Sequence, residues 1–260
     1  MDQSRLEPDA DFLPVADPPQ APRAYGGYEP VRRIPARGEA EVWLALGPRG
    51  APAALKRLPA AAPDRLRNSL RHEGEILQML EVAGMPWTPR VLDADPDANA
   101  WLALSWCEGQ DLVAWSREPP ASLVRRAQIA ERLAGLYVEL HERGVLHGDV
   151  HPLNVRVDLA DRLWLVEFGA ARLLGAEDDA SRAAAEQQAV AAMACRIMLG
   201  DSGMGLPHAG GGEAPRLRDA WPALERVLAR AAAADPADRW PGLVAFTRAL
   251  SEALARGPRA

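Results

Sequence analysis

His147-Gly148-Asp149-Val150-His151-Pro152-Leu153-Asn154 is followed, one short hairpin later, by Glu167-Phe168-Gly169. An acid and an amide five positions apart, Asp149 and Asn154, can both face one pocket when their loop is held at both ends. Upstream, Ser122 can cap a helix whose apolar positions are Ile129, Leu133, Leu136 and Leu140, with Gly144 as its C′ stop. Downstream, residues 155–157 and 163–166 alternate as two strands turning through 158–162. A hairpin brings its two ends together, so Asn154 and Glu167 are expected to be neighbours. An amide oxygen beside a carboxylate is a hard oxygen site, suited to Mg²⁺ with phosphates and waters completing the octahedron.

The N-terminal side reads differently. Val42-Trp43-Leu44-Ala45-Leu46 is an apolar strand closed by Gly47-Pro48-Arg49-Gly50, and Ala53-Ala54-Leu55-Lys56 is the return strand. A helix follows Pro63, with Asp64 as its N-cap and a seam of Leu66, Leu70, Glu73, Leu77 and Leu80. Glu73 is the anomaly on that stripe. A buried carboxylate needs a cationic partner. Lys56 or one of many arginines can serve, unless Glu73 lies at the stripe's edge and reaches solvent. Trp101-Leu102-Ala103-Leu104-Ser105-Trp106 is another buried strand, ended by Glu108-Gly109. Further helices are expected over 183–199, 216–234 and 240–255, with a glycine-rich loop over 200–212.

Composition bounds the function. The chain has 260 residues, about half of them apolar, and a net charge of −6. That gives no electrostatic footprint for nucleic acid or an anionic membrane. No apolar run is long enough to span a bilayer, and the acidic, proline-broken start does not resemble a signal peptide. Residues 1–27 read as a disordered tail and 256–260 as a short C-terminal one. Two cysteines, Cys107 and Cys195, support neither a disulfide framework nor a Cys-rich zinc site, and point to the cytoplasm. Of the 30 basic residues only Lys56 is lysine. GC-rich coding explains the arginines but not the position where lysine is kept. Lysine is a compact point charge that can sit on a phosphate, while arginine is a planar fork.

Taken in register, these pieces resemble the protein-kinase-like phosphotransferases. That family carries a glycine-rich strand loop, a strand lysine, a helix glutamate, H-R-D-x-x-x-x-N and D-F-G. The matches here are Ala53–Lys56, Glu73, Asp149 with Asn154, and Glu167-Phe168-Gly169, over roughly residues 28–255. The resemblance implies an α+β, bilobal fold. Residues 28–105 would be a small antiparallel-sheet N-lobe with one helix, and 106–255 a mostly helical C-lobe. It implies ATP and Mg²⁺ as cofactors. Lys56 would hold the phosphates, with Glu73 holding Lys56. Asp149 would accept or orient the acceptor hydroxyl, and Asn154 and Glu167 would carry the metal. Val42, Ala54 and Leu104, the last at the gatekeeper position, would line the adenine site, and the backbone of Ser105, Trp106 and Cys107 would hydrogen-bond the base.

The departures matter as much. Pro35, Arg37 and Ala40 stand where the glycine-rich loop has its glycines, leaving only Gly38 and the prospect that Arg37 contacts phosphate. Glu167 adds a methylene to the metal aspartate, and Arg156 replaces an apolar adenine floor. Gly148 replaces the arginine of H-R-D, which removes one route to phosphorylation control. Glu186 aligns with the aspartate that begins the sixth C-lobe helix, too soon after Glu167 for a full activation segment. Arg239, in the D-P-x-x-R segment, therefore lacks its usual glutamate partner. His-Gly-Asp-x-His-Pro-x-Asn is also the form of small-molecule phosphotransferases and minimal atypical kinases. Two expectations follow: a phosphotransferase acting on a hydroxyl of a small molecule, peptide or protein, or a weak or inactive pseudokinase serving as a nucleotide-binding scaffold. A partner protein stays open; nucleic acid and membrane do not.

Overall fold

The two strands flanking the Gly47–Gly50 turn form because their apolar residues alternate between two faces that are both covered. The computed structural model describes residues 25–36, 39–95, 100–117, 122–175, 179–199 and 214–259. Among them β1 (Glu29–Ile34), β2 (Glu41–Leu46) and β3 (Pro52–Arg57) precede the helix α1 (Asp64–Val82), and β4 (Val91–Asp95) and β5 (Trp101–Ser105) follow it. They make one antiparallel sheet in the order β1-β2-β3-β5-β4. Lys56 pairs with Val42 on one side and Leu102 on the other, and Ala54 pairs with Leu104. The period of two therefore puts Val42, Ala54, Lys56, Leu102 and Leu104 on one face, against which α1 packs Leu70, Leu77 and Leu80. Asp64 is the first residue of α1 and makes no cap; Pro63 occupies the cap position.

The opposite face is also buried. Ala45, Ala53, Leu55, Trp101 and Ala103 are covered by Tyr25 and Tyr28. Tyr25 is only 6% exposed, so the expected tail ends before it, not at residue 27. Its hydroxyl accepts a 2.9 Å bond from Arg57, whose guanidinium lies 4.7 Å from the Trp43 ring and bonds Glu41 at 2.5 Å. The rest of the expected tail lies outside the described residues.

The second half is helical. β6 (Gln110–Asp111) leads into α2 (Leu112–Arg117) and α3 (Leu123–Glu142). The Ser122 side chain accepts from the backbone of Arg125, and Gly144 takes a positive φ of 71° after the helix, as the capping pattern predicts. Then come β7 (Val145–Leu146), the hairpin β8 (Val155–Val157) and β9 (Leu163–Leu165), and β10 (Arg172–Leu173), which pairs with β7. The chain continues as α4 (Asp179–Leu199), α5 (Ala214–Ala220), α6 (Pro222–Ala231) and α7 (Leu243–Arg256). The single helix expected over 216–234 is two, because Trp221 leaves the helical region and Pro222 starts a new turn. Trp221 is buried there, its indole N–H bonded to the carbonyl of Ala253 at 3.0 Å. The C-terminal tail is tied down as well, the Arg259 N–H donating to Ala220 at 2.7 Å. The glycine-rich loop expected over 200–212 lies outside the described residues.

One apolar core runs through both halves, from α1 and β5 into α3, α4 and α7. The loop after α1 joins them. The Trp87 indole donates to Glu139 on α3 at 3.0 Å, and the Trp87 carbonyl accepts the N–H of Leu165 on β9 at 3.0 Å. Among the described residues no helix is long and apolar enough to cross a membrane. Tyr25→Ala should lower unfolding stability by about 3 kcal/mol, as loss of a buried aromatic does. Urea denaturation of parent and variant measures it, and a loss under about 0.5 kcal/mol, the usual range for a surface change, would show that Tyr25 is no part of the fold.

Candidate functional site

Lys56 is 5% exposed and meets two carboxylates. Its Nζ lies 2.5 Å from Oε1 of Glu73 and 3.1 Å from Oε2 of Glu167. β3 delivers the lysine, the buried stripe of α1 delivers Glu73, and the chain leaving β9 delivers Glu167. Burial alone would discharge the ammonium, yet the charges of Glu73 and then Glu167 outweigh it and hold the Lys56 pKa above its ordinary value. Glu73 is displaced upward. Burial raises it, Lys56 pulls it down, and the charge of Glu167 pushes it up again. Ionised, the three groups sum to one negative charge. That surplus sits on the side chain that is 44% exposed, Glu167, and suits a cation arriving from the open side.

The loop beginning at His147 is fixed from below. His147 is fully buried, its Nε2 3.0 Å from the carbonyl of Val166 and its Nδ1 3.3 Å from the N–H of Asp149. These contacts select the neutral tautomer with the proton on Nε2, and burial lowers the imidazole pKa in keeping with it. Its ring also packs on Phe168, centroids 4.7 Å apart. Glu186, on α4, accepts from the N–H of His147 at 3.0 Å, from that of Gly148 at 2.8 Å and from His141 at 2.9 Å. Burial raises the Glu186 carboxyl, but bonds from His141, Gly148 and His147 outweigh it and the net shift is downward. Glu186 lies two turns inside α4, which starts earlier than the alignment placed it.

Gly148 has a physical reason to be glycine. Its φ is 78°, and a Cβ there would stand 2.2 Å from the carbonyl oxygen of Ala170. Asp149 presents an exposed carboxylate. Asn154 orients it, the amide nitrogen donating to Oδ2 of Asp149 at 2.8 Å and to its carbonyl at 3.0 Å. Both contacts use the nitrogen, so Oδ1 is the atom Asn154 offers to a metal. The Val166 N–H donates to the Asn154 carbonyl at 2.9 Å, which sets Asn154 and Glu167 at adjacent hairpin ends as the sequence predicts. Glu167 itself is left-handed, φ 69°. Among the described residues no cluster of three His, Cys, Asp or Glu could hold a metal alone.

Val42, Ala54 and Leu104 do share the sheet face that carries Lys56. Ser105 is more committed than expected. Its N–H donates to the carbonyl of Arg90 at 2.8 Å and its hydroxyl accepts the Arg90 N–H at 2.9 Å. Its N–H is therefore taken, and its carbonyl accepts the Cys107 thiol at 3.9 Å. Cys107 is buried, and burial pushes its thiol up to about 12, so it is an uncharged packing group. Arg156 donates to the carbonyl of Gly109 and lies 5.8 Å from the Trp106 ring. It braces this connection between the halves. Arg239 finds backbone partners, the carbonyls of Ala233 at 2.8 Å and Ala234 at 3.2 Å. Arg37 and Gly38 lie outside the described residues.

Sequence reasoning missed the contacts that α1 makes through Ser69 and His72, at 3.1 Å to the Gly169 carbonyl and 2.7 Å to the Ala171 carbonyl. Their spacing from Glu73 on one helical face was the available signal. No family model matches the chain, and a search of curated proteins found no match either.

The buried histidine and Glu186 set an acid limb of stability. His147 has a folded pKa below the ordinary 6.5, so its contribution is complete above pH 6.5 and is lost as pH falls below it. Glu186, lowered from 4.5, adds a second loss only below pH 4.5. Unfolding free energy from urea titration should therefore fall between pH 7 and 5, by at most about 1.4 kcal/mol per pH unit for one proton. Glu73, raised above 4.5, adds stability as it protonates and opposes this fall. The His147 ring is therefore also followed by NMR, and an imidazole that protonates at or above pH 6.5 in the folded chain would contradict its neutral, buried assignment.

Proposed function

We propose that the chain is an ATP- and Mg²⁺-dependent phosphotransferase of the protein-kinase-like kind, moving the γ-phosphoryl group to a hydroxyl. The observation that carries this is the junction of Lys56, Glu73 and Glu167 beside the Asp149–Asn154 pair, drawn from β3, α1 and both ends of one hairpin. Phosphoryl transfer asks a protein mostly for positioning and charge neutralisation. Lys56 supplies a positive charge for phosphate oxygens, and Glu73 keeps it aimed. Asn154 and Glu167 are the residues that would hold Mg²⁺, which would neutralise the phosphates when bound. The exposed Asp149 carboxylate, fixed by Asn154, accepts the hydrogen bond of the acceptor hydroxyl and takes its proton as the new oxygen–phosphorus bond forms and the γ-phosphorus bond to the β-phosphate oxygen breaks, releasing ADP.

The acceptor is a small molecule, a peptide, or a protein recognised elsewhere. Only residues 172–178 separate Ala171 from α4, and Arg172–Leu173 is occupied in pairing with β7. That favours a small acceptor over a docked peptide.

A second reading has its own support. The Glu167 carboxylate contacts Lys56 directly, where a phosphate would otherwise sit. A chain that binds nucleotide without transferring phosphate would act as a regulatory or scaffold module. Thermal unfolding with ATP, with and without Mg²⁺, separates the readings from each other and from failure. A ligand at about 100 times its Kd stabilises by roughly 2.7 kcal/mol, a shift of several degrees. The proposal expects that shift to need Mg²⁺, with ATP turnover lost in Asp149→Asn while binding persists, and kept or raised in Glu167→Asp. A shift without turnover supports the module. No shift in either condition contradicts both.

A further inference from the structure

α1 touches the Glu167-Phe168-Gly169 segment with more than Glu73. The Glu73 carboxylate accepts the Phe168 N–H at 3.1 Å. One turn earlier the Ser69 hydroxyl donates to the Gly169 carbonyl at 3.1 Å, and His72 Nε2 lies 2.7 Å from the Ala171 carbonyl. Residues 69, 72 and 73 lie at i, i+3 and i+4, so all three project from one helical face. Each takes a backbone group of the same short 3₁₀ turn, Phe168–Ala170, or the residue that ends it. The approach is close, since a Cβ on Gly169 would stand 3.2 Å from Ser69 Oγ and 3.7 Å from Glu73 Oε2.

We infer that Ser69 and His72 are positioning residues that clamp α1 to this turn and so set the place of Glu167 relative to Lys56. Glu167 immediately precedes the turn and sits in the left-handed region, an uncommon conformation for a residue with a long side chain. Such a backbone persists only where its surroundings fix it. The Lys56 contact holds the Glu167 side chain, while Glu73, Ser69 and His72 hold the backbone that follows. With three side-chain ties from one helix, α1 and the metal-bearing segment move together. A swing of α1 would therefore carry the Glu167 segment with it. This rests on the reading of Glu167 as a phosphate-linked metal ligand.

The test uses the full chain carrying Ser69→Ala with His72→Ala, Ser69→Ala alone, and His72→Gln, whose amide N–H can still reach a carbonyl. Two quantities are read: amide hydrogen exchange at Phe168, and affinity for ATP with and without Mg²⁺. The double variant should exchange Phe168 about tenfold faster, as loss of local protection allows. It should also bind ATP about fivefold more weakly in Mg²⁺ only, the scale of one modest hydrogen bond. His72→Gln should restore most of both. Phe168 exchange within twofold of the parent would overturn the clamp, and Ser69→Ala alone decides this if the double variant does not fold. Faster exchange with unchanged Mg²⁺–ATP affinity would overturn the positioning role. If the parent binds no ATP, the phosphotransferase reading fails separately, and exchange at Phe168 still decides whether the clamp exists.

Discussion

One buried ammonium shared by two carboxylates constrains the rest of this structure. Removing the Lys56 and Glu73 charges from water is costly, and the pair, joined by the part-exposed Glu167, offsets that cost only while its geometry is kept. The constraint reaches outward from each member. Lys56 fixes the register of β3 against β2 and β5, since a slip by one residue would turn the ammonium to the tyrosine-covered face. Glu73 fixes the rotation of α1 about its axis. Glu167 fixes the exit of the β8–β9 hairpin. A guanidinium could not replace the ammonium simply, because its planar fork is wider and presents its charge differently. That gives a physical reason for one lysine among 29 arginines.

The second organising group is Glu186. It gathers two backbone N–H groups and a histidine, so the backbone N–H groups of His147 and Gly148 both find an acceptor beneath Asp149. The His147 ring packs between those of Tyr137 and Phe168 under the same loop. The loop that presents Asp149 thus stands on a buried polar floor, and the chain leaving β9 stands on the same floor through the Val166 carbonyl. Preorganised positioning of this kind is what phosphoryl transfer needs from a protein.

Much of this was legible from residue pattern. The β2–β3 hairpin, the seam of α1 with its anomalous glutamate, the Ser122 cap and the Gly144 stop each follow local rules of capping or periodicity. That Asp149 and Asn154 face one place follows from a short loop between fixed ends, although their direct hydrogen bond does not. What was not legible depends on distant partners. Tyr25 lies beside glycines in a proline-rich stretch, and only the sheet face it covers, with its Arg57 partner 32 residues along the chain, explains its burial. β4, with two aspartates in five residues, has no strand signature of its own and forms because β5 offers it an edge. The break at Trp221 reflects a buried indole seeking the Ala253 carbonyl. Ser69 and His72 read as ordinary polar residues until the turn they bind is in place.

Having a single lysine makes the central claim open to direct observation. With lysine labelled at the side-chain nitrogen, the protein should give one ammonium signal, that of Lys56. The account predicts that this signal stays charged above pH 10.5, where an ordinary lysine is half discharged, because Glu73 and Glu167 hold it. It also predicts a clear change in the signal's position on adding ATP with Mg²⁺, as phosphate oxygens join or displace the Glu167 contact. A signal that does not respond to saturating Mg²⁺–ATP would contradict phosphate binding at Lys56, and with it the proposed function.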